Sequence, residues 1–335
     1  MSEAAGGLTA VPGIAVGHYQ LEERPTGCTV VLTEAGAVAG VDVQGGAPGT
    51  RETALLDPVN TVAEVHAIVL SGGSAFGLDT ACGVVRYLAE RDVGYQTRAA
   101  KVPIVPAAIL YDLSVGGRPD LRPGADAGYR AAAAASSGPV TEGNVGAGAG
   151  ATIGKVAGMD RAMKSGLGTA AIDVGGLIVA ALVAVNSVGD TIDPATGKVI
   201  AGVRTEDGSG LADARRLLRG GRVSPRGPNR ATAGENTTLG IVATNARMSK
   251  AEITKVARVA HSGIARAVSP AHTVYDGDAL FALATGTLDE PAEPFQVGAL
   301  AAEMVADAIV RAARAATGLP GLPAAGDLRG LARHV

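Results

Sequence analysis

GENTTLG spans Gly234 to Gly240 and joins a polar connector to an apolar strand. Residues 219–235 are rich in Arg, Pro and Gly, a composition typical of a solvated linker. Thr237 to Thr244 is β-branched and apolar, which predicts a strand. The chain therefore changes character at the bond between Asn236 and Thr237, where a long upstream part meets a short downstream part.

A small hydroxyl residue at such a boundary has a chemical use. A Thr hydroxyl can attack the carbonyl of the residue before it, form an ester and release the upstream chain to water. The cut would expose a free α-amine on Thr237, whose reference pKa of about 7.7–8.0 suits a general base near neutrality. Asn-Thr-Thr before a strand also fits an ordinary strand start, so this segment alone leaves both interpretations open.

Upstream of this boundary the chain alternates short β-rich runs with glycine turns. Strands are predicted at Cys28 to Leu32, Val41 to Val43 and His66 to Leu70. Ala75 to Arg91 carries apolar residues at helical spacing, and Leu177 to Asn186 reads as one strand of a hairpin. This mixture predicts an α/β or α+β fold in which helices cover the sheets.

Downstream of the boundary the predicted elements are longer. The capping box SKAE, Ser249 to Glu252, predicts the start of a helix that runs to about Val268. Ala279 to Ala284 is predicted as a strand, and Pro294 to Thr317 as a long helix. The tail after Gly318 is predicted to be irregular.

Composition excludes several classes of protein. The 335 residues are 47% hydrophobic with a net charge of −3, so no nucleic-acid partner is expected. The longest apolar run, residues 176–185, is too short to span a bilayer, and the N-terminus lacks a secretory signal, so a cytoplasmic protein is expected. Cys28 and Cys82 lie in apolar surroundings and are predicted to be buried thiols.

Two further motifs each have two interpretations. EGNVGAGAGATIGK, Glu142 to Lys155, loosely fits a dinucleotide-binding loop but lacks the helix that such a loop requires. It is better explained as a loop whose backbone approaches a substrate or packs on a sheet. Asp276-Gly277-Asp278 fits a turn or a pair of functional carboxylates, and it lacks the further acidic ligands of a calcium loop.

Seven segments, taken together and in order, resemble one family. They are GGAPGTRETALL (45–56), VLSGGSAFGLD (69–79), VPIVPAAILYDL (102–113), EGNVGAGAGATIGK (142–155), LVAVNSVGD (182–190), ENTTLGIVATNARMS (235–249) and AHTVYDGDALFALATG (271–286). The family comprises the self-processing L-aminopeptidase/D-esterases (DmpA), the β-peptidyl aminopeptidases (BapA) and the nylon-oligomer endohydrolases (NylC). The resemblance runs over nearly the whole chain.

The resemblance implies a four-layer αββα sandwich related to the N-terminal-nucleophile hydrolases. It implies a single domain, residues 1–335, that cuts itself between Asn236 and Thr237 into fragments 1–236 and 237–335. The nucleophile is Ser in the aminopeptidase branch, and the matching residue here is Thr237, as in the nylon-hydrolase branch. The processed pairs are expected to assemble into a homo-oligomer.

The resemblance also implies a role for each site residue. Asp276 and Asp278 match the D-G-D sequence of the nylon-hydrolase branch and would orient the amine and hydroxyl of Thr237. Lys155 matches a lysine that could lower the pKa of that hydroxyl, and Asn186 matches an asparagine that donates to the oxyanion.

Two more residues are implied to bind the substrate. Tyr111 matches a tyrosine that lines the site. Glu142 matches the acid that receives the free amine of the substrate in the aminopeptidase branch. This chain therefore combines features of both branches, which leaves exo and endo cleavage open.

The sequence thus predicts a self-processing N-terminal-threonine amidohydrolase. Its expected substrates are short peptides or amino-acid oligomers, including 6-aminohexanoate (nylon) oligomers, and it requires no metal and no organic cofactor. Two other interpretations remain. An acyltransferase similar to the ornithine acetyltransferases would pass the acyl group to an amine, and an uncleaved binding protein would have no activity.

Overall fold

The computed structural model of the chain describes residues 2–221 and 234–331, so residues 222–233 of the predicted linker lie outside the described residues. Seventeen strands lie in the described part: β1 (Ser2–Glu3), β2 (Ala15–Gln20), β3 (Gly27–Val43), β4 (Thr50–Arg51), β5 (Glu64–Ser71), β6 (Tyr95–Gln96), β7 (Lys101–Val102), β8 (Ala107–Ile109), β9 (Thr152–Ile153), β10 (Met163–Lys164), β11 (Leu167–Val174), β12 (Leu177–Asn186), β13 (Asp190–Ile192), β14 (Val199–Ala201), β15 (Thr237–Thr244), β16 (Val268–Ser269) and β17 (Ala279–Ala284). The α-helices of that part are α1 (Thr80–Ala89), α2 (Ala125–Ala133), α3 (Ala214–Arg219), α4 (Lys250–Ala267), α5 (Pro294–Ala315) and α6 (Ala325–Leu331).

Ten of the strands form one mixed sheet. Its order is β1-β11-β12-β15-β17-β3-β5-β8-β4, with β2 paired to β3. Strand β3 has 17 residues, and its register with β5 shifts between Leu32 and Ala37. The residues before this irregularity pair with β2 and β5, whereas the end of the strand pairs with β17. One long bent strand therefore belongs to both halves of the sheet.

The two halves pack face to face and are covered by helices on the outside. A central core joins apolar side chains of β3, β5 and β8 to those of β11, β12, β15 and β17. A second core lies between β11, β12, β15, β17 and helices α4 and α5. A third core lies between β3, β5 and helices α1 and α2. The four-layer αββα architecture that the resemblance implied is confirmed.

The downstream part of the chain supplies the centre of this sheet. All eight residues of β15 are buried, and β15 runs parallel to β17 with α4 as the crossover between them. The predicted capping box is confirmed, since the Ser249 hydroxyl accepts from the Glu252 N–H while the Glu252 carboxylate accepts from the Ser249 N–H. The neighbours of β15 and β17 in the sheet are β12 and β3, which come from the upstream part.

Small residues allow the helices to approach closely. A side chain at Gly263 on α4 would place its Cβ 2.3 Å from the carbonyl oxygen of Ala302 on α5, so only glycine fits there. This packing is consistent with a core of Ala, Val, Leu and Ile and an aromatic content of 3%. None of the described helices is long and apolar enough to cross a lipid bilayer.

Several sequence predictions need correction. The two predicted strands Cys28 to Leu32 and Val41 to Val43 are parts of the single strand β3. The helix predicted from Ala75 begins as a 3-10 helix, Ser74–Asp79, and becomes α-helical only in α1. The sequence does not separate the two, because apolar residues three positions apart lie on one face in both kinds of helix. The tail forms α6. Cys82 is exposed, where its sulfur accepts from Arg51, whereas Cys28 is buried.

Candidate active site

The ends of three strands converge at the bond between Asn236 and Thr237. Thr237 is the first residue of β15 and lies opposite Asn186, the last residue of β12. Asn236 forms a parallel bridge with Asp276, just before β17. The exposed fraction is 2% for Thr237 and 0% for Asn236, so this peptide is enclosed. The geometry is that of the uncut chain, with the peptide bond in place.

The Asn236 carbonyl oxygen receives two hydrogen bonds. The Thr237 hydroxyl donates to it with an O···O distance of 2.5 Å, and the Gly277 N–H donates at 2.7 Å. A Cβ on Gly277 would lie 2.7 Å from the Ala47 carbonyl oxygen and 3.0 Å from the Thr237 hydroxyl. The backbone can therefore come this close to the carbonyl because residue 277 is glycine.

Lys155 and Asn186 hold the next carbonyl upstream. The Lys155 ammonium lies 3.1 Å from the Glu235 carbonyl oxygen, and the Asn186 side-chain amide donates to the same oxygen at 3.3 Å. Lys155 also donates to the Asn186 side-chain oxygen at 3.0 Å. The Thr152 N–H and hydroxyl donate to that oxygen at 3.0 and 3.1 Å. The orientation of the Asn186 amide is therefore fixed, with its NH2 group towards Glu235.

Tyr111 contacts this group through its backbone. Its carbonyl oxygen accepts from the Asn186 side-chain amide at 2.9 Å. Burial, with a smaller contribution from the charge of Glu235, raises the pKa of the Tyr111 phenol. The next residue, Asp112, forms a fully buried ion pair with Arg24 at 2.6 Å, which anchors the loop.

The two aspartates bind different parts of the site. Asp278 accepts from the Thr238 N–H at 2.6 Å, and so holds the residue that follows Thr237. Asp276 accepts from the Thr273 N–H at 3.0 Å and the Thr273 hydroxyl at 2.5 Å, with a longer bond of 3.4 Å from the Val188 N–H. The two carboxylates thus belong to the residues on either side of Gly277, the residue whose N–H donates to the Asn236 carbonyl oxygen.

Burial sets the protonation of the site. It lowers the pKa of Lys155 to about 7, against the opposing charges of Asp276 and Glu235. Burial and the neighbouring charge of Asp278 raise the pKa of Asp276, although hydrogen bonds from Thr273 act in the other direction. A lysine and a carboxyl group that both titrate closer to neutrality than usual are typical of catalytic sites.

The structure does not bring Glu142 to this group. Both of its carboxylate oxygens accept from Arg311, at 2.9 and 2.8 Å, and one also accepts from the Thr169 N–H at 2.9 Å. Thr169 pairs with Leu182 on β12, and Leu182 lies four residues, or about 13 Å, from Asn186. The predicted contact of Glu142 with a substrate amine stays a prediction, and it would require Arg311 to give way.

Sequence reasoning missed three contributors. They are the Gly277 N–H, the Thr152 hydroxyl and the imidazole of His272, which contacts Asp278. All three lie inside segments that carried the resemblance. The glycine of D-G-D was the available signal, because a glycine between two functional residues often marks a close backbone approach.

Fold and site together define a class. An enclosed threonine at the start of a central strand, in a four-layer αββα sandwich, is the arrangement of a hydrolase of amide bonds with the N-terminal-nucleophile fold.

Two solved structures share the fold. One is the L-aminopeptidase D-Ala-esterase/amidase of Ochrobactrum anthropi, a variant of that fold, with a TM-score of 0.69 and 20% identity over 99% of this chain and 96% of that one. The other is a β-aminopeptidase of Burkholderia sp., with a TM-score of 0.66 and 23% identity over 98% and 94%.

The chain belongs to peptidase family S58, whose model matches residues 7–325. An uncharacterized aminopeptidase of Mycobacterium bovis is 41% identical over 345 residues, which cover 96% of this chain and 97% of the relative. A 6-aminohexanoate-oligomer endohydrolase of Kocuria sp. is 35% identical over 321 residues, which cover 90% and 84%. The predicted family and the predicted hydrolysis of amide bonds are confirmed, which disfavours the acyltransferase and the non-enzymatic interpretations.

Proposed function

We propose that the chain cleaves itself between Asn236 and Thr237 and then hydrolyses amide bonds with Thr237 as an N-terminal nucleophile. The observation that carries this proposal is the pair of contacts on the Asn236 carbonyl oxygen. The Thr237 hydroxyl lies 2.5 Å from it, and the Gly277 N–H donates to it at 2.7 Å. A nucleophile beside a carbonyl and a donor on its oxygen are the two parts that acyl transfer requires.

Self-cleavage would begin at this carbonyl. The Thr237 oxygen attacks the Asn236 carbonyl carbon, and the electron pair moves to the oxygen that the Gly277 N–H holds. The bond from that carbon to the Thr237 nitrogen then breaks, and the nitrogen takes up the proton that left the hydroxyl, carried by a neighbouring carboxylate. Water hydrolyses the resulting ester, which leaves a carboxylate on Asn236 and a free amine on Thr237.

The same cut would open the site to substrates. In the uncut chain the Glu235 carbonyl occupies the donors of Lys155 and Asn186, and Thr237 is enclosed. When the new C-terminus leaves, those donors are free to receive the carbonyl of a substrate. Asn186 would then stabilise the oxyanion, as the resemblance implied, and a donor of this kind contributes about 2.7–4 kcal/mol.

In the mature site the Thr237 amine would act as the base. It takes the proton of its own hydroxyl while the hydroxyl oxygen attacks the substrate carbonyl, and the proton then passes to the leaving amine. Asp276 and Asp278 would orient that amine, because they flank Gly277, and Gly277 packs against Thr237 and the Asn236 carbonyl. Water releases the acyl group from the threonine and regenerates the free hydroxyl.

The proposed substrates are short peptides or amino-acid oligomers. One relative is named an aminopeptidase and another a 6-aminohexanoate-oligomer endohydrolase. The bonds from Arg311 to Glu142 favour substrates that do not need a carboxylate to receive a free amine. A panel of amides with free and with acetylated N-termini would decide this. Equal rates on both indicate endo cleavage, and loss of rate on acetylation indicates an aminopeptidase.

Fragments 1–236 and 237–335 would stay together after the cut. Strands β15 and β17 lie between β12 and β3 in one sheet, so separating the fragments would break two strand pairings and expose two cores.

We also propose, on the resemblance alone, that the pair forms a homo-oligomer in the cytoplasm. Analytical ultracentrifugation of the processed protein tests the assembly.

Self-processing has a direct test. Purified protein should give two bands on a denaturing gel, and the smaller should have the N-terminal sequence Thr-Thr-Leu-Gly. Thr237→Ala should stay a single chain without activity. Thr238→Val is the matched control, because the Thr238 hydroxyl is buried without a hydrogen-bond partner among the described residues and its N–H is retained. An active, uncut wild-type chain would defeat the proposal.

A further inference from the structure

We propose that His272 is a positioning residue that holds the Asp278 carboxylate against the start of β15. This inference rests on the proposed function, since it assigns how the carboxylate that binds the residue after Thr237 is held in place. His272 lies six residues before Asp278 in the loop that precedes β17, and its side chain is 17% exposed.

Two donors of His272 meet one oxygen of Asp278. The backbone N–H lies 3.0 Å from that oxygen, and ring nitrogen Nδ1 lies 2.9 Å from it. The other carboxylate oxygen accepts from the Thr238 N–H at 2.6 Å. Asp278 is therefore a bridge, with His272 at one end and the residue after the nucleophile at the other.

The backbone of His272 is in a conformation that this arrangement requires. Its φ is +55°, in the left-handed region that residues other than glycine rarely adopt. This conformation lets the backbone N–H and the ring of the same residue reach one carboxylate oxygen. Strained backbone of this kind persists where the surrounding contacts determine it, and it is concentrated at functional sites.

The groups around His272 favour its charged form. Burial opposes the charge, but the hydrogen bond and charge of Asp278, with a smaller contribution from Asp276, raise the pKa of His272 above its ordinary value. On the other side the ring of His261 from α4 meets it edge-on, with centroids 4.9 Å apart. Burial is the main cause that lowers the pKa of His261, whose Nε2 lies 3.0 Å from the Asp42 carbonyl oxygen.

The contacts of Asp278 predict what loss of the imidazole would do. One oxygen of Asp278 would lose the ring contact at 2.9 Å and keep the backbone N–H of residue 272 at 3.0 Å. The carboxylate would then be free to turn away from the Thr238 N–H, which lies 2.6 Å from its other oxygen. A shift of the first residues of β15 would move the Thr237 hydroxyl relative to the Asn236 carbonyl.

Three variants of the full-length chain test this role. His272→Asn keeps a donor and tolerates the left-handed backbone but removes the charge, whereas His272→Ala removes both. His66→Asn is the matched control, because His66 is also buried and accepts from the Ile104 N–H on another part of the sheet. The measurements are the rate of self-cleavage, kcat and KM on a short peptide amide, and Tm.

The expected pattern separates positioning from stability. His272→Ala should slow self-cleavage about a hundredfold, since a small misplacement at a reacting centre has an effect of that size. His272→Asn should recover part of the self-cleavage rate that His272→Ala loses, because its side-chain amide keeps a donor for Asp278. Its kcat on the peptide amide should lie below that of wild type, with a KM within about twofold of wild type. His66→Asn should match wild type in the rate of self-cleavage and in kcat.

Two results would overturn the inference. One is wild-type rates in both His272 variants, and the other is a loss of rate that follows a lower Tm equally in both variants, with no recovery in His272→Asn. Thr237→Ala measured in parallel separates this from the proposed function. If Thr237→Ala is inert while the His272 variants behave as wild type, only the role of His272 fails. If Thr237→Ala still cleaves, the proposed function itself fails.

Discussion

Two buried lysines of this protein, Lys155 and Lys164, are similarly enclosed but donate hydrogen bonds to different kinds of partner. Lys155 is 4% exposed and Lys164 is 0% exposed, and burial lowers the pKa of each to about 7. Among the residues that the structure describes, Lys164 donates to backbone carbonyls alone, those of Gly148, Ala151 and Ser165. Lys155 donates instead to Asn186 and to the carbonyl of Glu235, one residue upstream of the Asn236–Thr237 bond.

The difference shows that a shifted pKa does not identify a catalytic lysine by itself. Lys164 binds the glycine-rich loop from within and so holds its shape. That loop in turn presents Thr152 to Asn186, so Lys164 acts on the site only through the backbone. Lys155 reaches the groups that the proposed chemistry uses. The partners of the ammonium group, rather than its burial, distinguish the two roles.

Of the changes that compare the two lysines, Lys155→Met should have the largest effect. It keeps the aliphatic length of the side chain and removes its charge. Self-cleavage should slow about a hundredfold, because the Glu235 carbonyl and the Asn186 amide lose the donor that fixes them. Densitometry of denaturing gels over time measures the rate. Cleavage at the wild-type rate would remove Lys155 from the site and make the two lysines equivalent.

Lys164→Met should act on stability instead. The carbonyls of the glycine-rich loop would lose a buried donor, which should lower the free energy of unfolding by about 3 kcal/mol. Urea denaturation of the uncut Thr237→Ala background measures this without interference from cleavage. The cleavage rate per folded molecule should stay within about threefold of wild type. A rate loss as large as that of Lys155→Met would end the distinction.

The pH dependence of stability should treat the two lysines alike. Each has a folded-state pKa of about 7, below the ordinary value of 10.5, so the unfolded chain binds more protons between these limits. The free energy of unfolding should therefore rise with pH in this window, by about 2 kcal/mol per lysine between pH 7 and 9. In each Met variant, the increase of about 2 kcal/mol that the replaced lysine contributes between pH 7 and 9 should be missing. An unchanged slope would show that the lysine stays charged when buried.

The smallest effect is expected from Thr152→Val. It removes one of the hydrogen bonds to the Asn186 side-chain oxygen and keeps the Thr152 N–H, at a cost of about 1 kcal/mol. Activity on a peptide amide should fall about fivefold, with little change in Tm. Thr254→Val on α4, whose hydroxyl donates to the Lys250 carbonyl within the helix, is a control far from these contacts. A self-cleavage rate as low as that of Lys155→Met would show that Thr152, not the lysine, fixes Asn186.

Local pattern was sufficient for the elements around the junction. β-Branched residues and the capping box predicted β15 and α4, and the apolar run predicted β17 with the bounds that the structure has. Prediction failed where one pattern fits two structures, as at the 3-10 helix Ser74–Asp79 before α1. Length was misjudged at β3, because glycines inside a strand resemble the turns between strands.

The sequence by itself determined the chemical identities: a threonine at a strand start, a D-G-D turn, a lysine and an asparagine, in an order that resembles one family. These depend on residue type and short spacing, which the chain carries locally. Only the tertiary structure decided that Asn186 lies opposite Thr237, that the Gly277 N–H meets the Asn236 carbonyl, and that Glu142 pairs with Arg311. Strand register and backbone contacts join residues far apart in the chain, so they follow from packing of the whole fold.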